Sequence, residues 1–244
     1  MSLRSFITIV ASPRPRVGKT LVARLLADFH LHNGRSIAAF DINGDDTALT
    51  QFMPQHSAPA DVTEIHGQMA LFDRLVADDG SYKVVDLGHP AFKTFFDVAK
   101  QIDVAAEVRR RGLAVVVLFI VTPDATSVEA YAELRRSLPQ AAVVPVHNEI
   151  LGVAQHRDKF AAFGSAAMPI QIAALAPGLR KVIDRRPFSF ADASGAAPAD
   201  IPLEMHMELQ RWLRKIYVEF RQMELRVLLS DLTRSLGEPR SNQI

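Results

Sequence analysis

Phe6-Ile7-Thr8-Ile9-Val10-Ala11-Ser12-Pro13-Arg14-Pro15-Arg16-Val17-Gly18-Lys19-Thr20-Leu21 is the stretch that decides the fold. Phe6–Ala11 is a short apolar run rich in β-branched residues, which reads as a strand. From Gly18 to Asn33 the spacing changes. Leu21, Leu25 and Leu26 fall at helical intervals, and Gly34 follows as a helix C-cap. The stretch is therefore strand, loop, helix.

Working outward, further apolar runs occur at Ser36–Ile42, Lys83–Leu87, Leu113–Val121, Ala142–His147 and Ile170–Leu175. None alternates strictly, as expected of strands covered on both faces, so the sheet is expected to be parallel. Phe92–Arg110 and Ser127–Ser137 read as helices between them. The β-α-β alternation implies a doubly wound α/β fold with a mostly parallel sheet and helices on both faces. Asp45–Ala60, polar and carrying Pro54 and Pro59, reads as a loop with a short helix. Ala191–Pro202 is rich in Ala, Ser, Gly and Pro and reads as a linker after a domain spanning 1–190. Leu203–Leu236 reads as one long helix or two within a helical extension spanning 203–244. Its apolar stripe is Leu209, Leu213, Ile216, Phe220, Met223 and Val227. That stripe fits a helix packed back on the domain, or a helix that meets a partner protein.

Composition bounds the chemistry. Of 244 residues, 48% are apolar and 23% charged, enough for a sizeable core. Basic residues number 28 and acidic residues 27, so no global field draws the chain to nucleic acid or anionic lipid. Binding to DNA or a membrane surface would need a local patch. The absence of cysteine excludes disulfides, thiolate metal sites and cysteine nucleophiles. Phe6–Val10 is too short for the core of a signal peptide, and Leu113–Val121 is too short to span a bilayer. A cytoplasmic protein is expected.

The loop itself carries the chemistry. A strand, then Val17-Gly18-Lys19-Thr20 opening a helix, is the context of a Walker A phosphate site. The helix N-terminus offers unpaired N–H groups and the positive end of its dipole. Gly18 lets the backbone approach phosphate, Lys19 supplies a point charge, and Thr20 places a hydroxyl beside Mg²⁺. Pro13 stands where the usual motif has glycine, and Pro13 and Pro15 remove two backbone donors. The donors from Arg16 through Thr20 remain, and Leu21 is counted with them among the binding residues. Asp41 and Asp86 close their strands at the edge where open α/β sheets bind ligands.

These motifs, in this order, resemble the deviant Walker A ATPases that include ParA, MinD and the nitrogenase iron protein. The resemblance covers about residues 5 to 190. It implies binding of ATP or ADP with Mg²⁺, hydrolysis, and a nucleotide-dependent homodimer. Arg14 falls where the family's signature lysine reaches across to the partner's nucleotide. Phe40-Asp41-Ile42-Asn43 resembles the second-strand segment, implying that Asp41 orients the attacking water and stands near the metal. Asp45 or Asp46 begins the first switch. Val84-Val85-Asp86-Leu87-Gly88 resembles Walker B with the second switch, implying that Asp86 holds Mg²⁺ through water, with Thr20 as a further metal-site residue. Val121-Thr122-Pro123-Asp124 resembles the family's strand ending. Asn148 sits where adenine is read, and the segment Ile172–Pro177, holding Leu175 and Pro177, where the base is covered. Pro15 and Arg16 replace a glycine pair, and Gly88-His89-Pro90 departs from the second switch.

Other residues read as structural. His30 and His32 read as a surface pair, and His89 as an exposed loop residue. Arg109–Arg111 read as a helix C-cap, Trp212 and Tyr217 as core. Arg211, Arg214, Lys215 and Arg221, diluted by Glu204, Glu208, Glu219 and Glu224, read as a solvated face. Two alternatives to the ATPase switch stay open. One is an ATP-dependent small-molecule ligase resembling dethiobiotin synthetase, with Asp45–Ala60 and His89 lining the substrate pocket. The other is a non-hydrolysing interaction module.

Overall fold

In a computed structural model, the structure describes residues 5–44, 46–151, 169–193 and 201–237. Seven strands, β1 (Ser5–Ala11), β2 (Ile37–Ile42), β3 (Ser57–Pro59), β4 (Tyr82–Leu87), β5 (Leu113–Ile120), β6 (Ala142–Asn148) and β7 (Ile170–Ile172), form one sheet in the order β3-β2-β4-β1-β5-β6-β7. Every pairing is parallel. The helices are α1 (Lys19–His32), α2 (Ala48–Phe52), α3 (Ile65–Val76), α4 (Phe92–Gln101), α5 (Val104–Arg110), α6 (Ala125–Ser137), α7 (Pro177–Ile183), α8 (Phe190–Ala193) and α9 (Leu203–Gly237).

The apolar runs are explained by two cores. In β1, Phe6 and Val10 face one core while Ile7, Ile9 and Ala11 face the other. In β5, Val116, Leu118 and Ile120 alternate with Val115, Val117 and Phe119 in the same way. Both faces bury side chains, so period-two alternation of polarity is lost. The first core is covered by α1, α2 and α7–α9, the second by α3–α6. The fold is doubly wound α/β.

Three elements depart from expectation. Phe92–Arg110 is two helices, because Asp103 adopts a left-handed conformation (φ 47°) that breaks the ladder. Strand β3 and helix α3 lie where only a loop with a short helix, or nothing, was expected; β3 is three residues long and has no apolar run to betray it. Of the expected linker, Ala191–Ala193 belong to α8, whose start is fixed by Asp28: its carboxylate accepts from Phe190 N at 2.7 Å and from the Ser189 hydroxyl at 3.1 Å. Residues 194–200 of that linker lie outside the described residues.

Helix α9 is a single helix and part of the domain. Leu209, Leu213, Ile216, Phe220 and Met223 are buried in the first core, with Val227 packed at its margin. Full burial of one such side chain is worth about 1.5–3 kcal/mol. Trp212 Nε1 donates to Ala173 O at 2.8 Å, and Arg35 pairs with the buried Glu224 at 2.6 Å. Arg211, Arg214, Lys215 and Arg221 are exposed. His30 is not a surface residue: it is buried between Tyr82 and the Arg35–Glu224 pair, and burial lowers its pKa to about 3. No described helix is long and apolar enough to cross a membrane.

Candidate nucleotide and metal site

Strand order reverses about β1, with β2 and β3 to one side and β5–β7 to the other. The loop leaving β1 emerges at that point, the position where open α/β sheets bind ligands. Gly18 precedes α1 in a left-handed conformation (φ 88°), which only glycine adopts without cost. Arg16 is also left-handed (φ 56°). That explains why glycine is favoured at this point of such a loop; this chain holds the turn with arginine.

A cleft of about 720 Å³ opens over the loop, lined by residues 15–21, Asn43, Asp46, His89, Asn148 and Arg180 among others. Arg16, Val17, Gly18, Lys19, Thr20, Leu21 and Asn148 therefore share one wall system. Lys19 is buried, and its Nζ donates to the carbonyl of Arg14 at 2.7 Å. Burial lowers its pKa, opposed by the nearby Asp86. Asn148 Nδ2 donates to Val17 O at 3.0 Å, tying β6 to the loop. Leu175 and Pro177 do not line the cleft: Leu175 packs partly buried against the first core, and Pro177 is exposed at the start of α7. Asp45, expected at the first switch, lies outside the described residues.

Beneath the loop, β2 and β4 are in register with Asp41 opposite Asp86. Both carboxylates are buried. Thr20 donates its hydroxyl to Asp86 Oδ2 at 2.6 Å. Asn43 Nδ2 lies 2.6 Å from Asp41 Oδ1 and 3.0 Å from Asp86 Oδ2. The second Asp41 oxygen accepts from Thr50 N at 3.0 Å. Asp86 Oδ1 is buried with no hydrogen-bond partner. Burial, with Asp41 adding to it and Thr20 opposing, pushes the Asp86 carboxyl up to about 7.

This donor set fits a small hard cation. Two carboxylates, one of them with an orphaned oxygen, and a hydroxyl suit Mg²⁺, which keeps several waters and takes few protein ligands. No group of three or more His, Cys, Asp or Glu forms an all-protein metal site among the described residues. Thr20, Asp41 and Asp86 would therefore share the ion with water and phosphate oxygens.

Arg14 is engaged inside its own chain. Nη2 and Nε lie 2.7 and 3.0 Å from Asp124 Oδ1, and Nη2 lies 3.2 Å from the Thr126 hydroxyl. Two residues of the site escaped the sequence reading. Asn43 was quoted only as part of a motif. Arg24, buried on α1, lines the cleft, donates to Ile183 O at 2.7 Å and lies 3.5 Å over the Phe52 ring. Burial lowers its pKa to about 10. An arginine amid Leu21, Leu25 and Leu26 was the available signal.

No protein-family model matches the chain, and no curated protein matches it either.

Proposed function

We propose that the chain is an ATP-binding, ATP-hydrolysing switch of the ParA/MinD-like P-loop kind, acting in the cytoplasm with Mg²⁺. The observation that carries this reading is the hydrogen bond from Thr20, at the start of α1, to the buried Asp86 with its orphaned oxygen. It places a hydroxyl and a carboxylate together behind a loop whose backbone N–H groups open a helix. The bound nucleotide and Mg²⁺ supply the phosphoryl group and the charge that neutralises it.

The chain's own residues do the rest. Backbone donors from Arg16 to Leu21 and the Lys19 ammonium cradle phosphate. Thr20 and Asp86 hold the metal side. Asp41 orients water: one oxygen accepts from Asn43 Nδ2 and the other from Thr50 N, and each keeps a lone pair for the water. Thr50 lies on α2, so its N–H ties the Asp41 carboxylate to α2 and the preceding Asp46 segment, the element a switch would move. The output is a nucleotide-dependent homodimer, with Arg14 facing the partner's nucleotide, and a changed surface for a protein partner, DNA or membrane.

Calorimetry of ATP with Mg²⁺ tests the reading. Lys19→Ala abolishes most binding, because phosphate loses its charged side-chain partner; equal affinity in the two proteins defeats the proposal. Asp41→Ala binds ATP but turns it over about 10²–10⁴-fold more slowly.

One observation favours the ligase as a second reading. A cavity of about 510 Å³ adjoins the cleft, sharing Asn43 and Pro90 with it. ATP turnover that depends on a small carboxylic or carbamic acid, and on neither DNA nor liposomes, selects the ligase.

A further inference from the structure

The two carboxylates under the loop are held together by a neutral group. Asn43 follows β2 directly, and its backbone is fixed by the neighbouring loop. Gly88 N donates to Ile42 O at 2.8 Å. A Cβ on Gly88 would meet Ile42 O at 2.6 Å and Asn43 Oδ1 at 3.0 Å, so glycine alone permits this approach. The side chain of Asn43 is the adjustable part. Its amide nitrogen, with two N–H donors to give, lies 2.6 Å from Asp41 Oδ1 and 3.0 Å from Asp86 Oδ2. A third contact reaches Asp86 O at 3.4 Å.

We infer that Asn43 is a positioning residue for the metal: its amide bridges Asp41 and Asp86 and competes with a divalent cation for their oxygens. The inference rests on the proposed magnesium–nucleotide site. An amide N–H₂ group donates only, so it cannot ligate a cation and competes with one for the same carboxylate oxygens. It satisfies those oxygens without cancelling their charge, whereas a divalent ion does both. There is room for the exchange. Asn43 lines the nucleotide cleft on one side and the 510 Å³ cavity on the other, so free volume adjoins its side chain.

The experiment compares wild type with Asn43→Ala and Asn43→Asp, using Mn²⁺ alone as the probe, followed by electron paramagnetic resonance. Thermal melting with EDTA or with saturating Mg²⁺ runs in parallel. Removing the competing amide tightens Mn²⁺ binding about tenfold in Asn43→Ala, and Asn43→Asp binds tighter still. In EDTA both variants melt below wild type, and Mg²⁺ restores most of the difference, a rescue that a merely structural asparagine does not give. Equal or weaker Mn²⁺ binding in Asn43→Ala overturns the inference. So does a Mg²⁺ effect on melting that is the same in all three proteins. Separate ATP calorimetry on wild type keeps the two ideas apart. ATP binding with unchanged Mn²⁺ affinity in the variants removes the Asn43 role and leaves the nucleotide reading. The Mn²⁺ pattern without ATP binding does the reverse.

Discussion

Arg14 donates twice to a single oxygen of Asp124, 2.7 Å from Nη2 and 3.0 Å from Nε, within one chain. Asp124 also accepts from Ser127 N at 3.1 Å, so the carboxylate that holds Arg14 caps α6 as well. The hydrogen bond from Arg14, helped by those from Thr122 and Ser127 N and opposed by partial burial, holds the Asp124 carboxyl down to about 2. The residue expected to reach a second subunit is latched at home.

Releasing the latch tests its purpose. Asp124→Asn frees Arg14 from its ion pair while retaining a capping side chain; Asp124→Ala also loses the cap, at about 1 kcal/mol. If Arg14 serves a partner's nucleotide, Asp124→Asn forms the ATP-dependent dimer at lower protein concentration than wild type. Arg14→Ala stays monomeric while still binding ATP. Light scattering in apo, ADP and non-hydrolysable ATP states reads both. A mass unchanged by nucleotide in every protein removes the dimer from the proposal.

The pH dependence of the metal-free protein isolates Asp86. Burial raises its carboxyl from 3.8 to about 7, so between those values the folded state keeps a proton that the unfolded state has lost. Its contribution is full below about pH 4 and is lost as pH rises through about 7. Asp28, raised by burial to about 6, acts in the same direction, while His30, lowered to about 3, acts oppositely below its ordinary range. Comparison with Asp86→Asn cancels those two. In EDTA, the melting temperature of wild type falls relative to Asp86→Asn by about 5 °C between pH 5 and pH 8. A gap that does not change with pH contradicts the assignment.

The left-handed Arg16 predicts a gain of stability on substitution. A non-glycine residue there costs about 1–2 kcal/mol, part of which glycine gives back through unfolded-chain entropy. Arg16→Gly is expected to raise unfolding free energy by about 0.5–1 kcal/mol in urea titrations. Gly18→Ala, at φ 88°, lowers it. A destabilised Arg16→Gly would mean that its side chain, not its backbone, matters to the loop.

Helix α9 divides into two lengths. Leu213 is buried, whereas Leu225 is 54% exposed. Leu213→Ala should cost about 2–5 kcal/mol, and Leu225→Ala within about 0.5 kcal/mol of nothing. Equal effects in denaturant melts would show that the outer face of α9 is covered in solution.

The sequence by itself determined the sheet and the loop. Continuous apolar runs announced strands covered on both faces, and Val17-Gly18-Lys19-Thr20 announced a loop that turns from strand into helix at Gly18, because those signals are local and periodic. The stripe from Leu209 to Val227 marked which face of α9 is buried for the same reason. Only the tertiary structure decided the rest. Asp124 holds Arg14 from 110 residues away, and Glu224 joins Arg35 across 189. No spacing encodes such pairs. Asn43 bridges Asp41 and Asp86 only because β2 and β4 lie in register. The break at Asp103 and the strand β3 were invisible for a different reason. A single left-handed residue and a three-residue strand carry too few side chains to establish a period; neighbours, not propensity, fix their conformation.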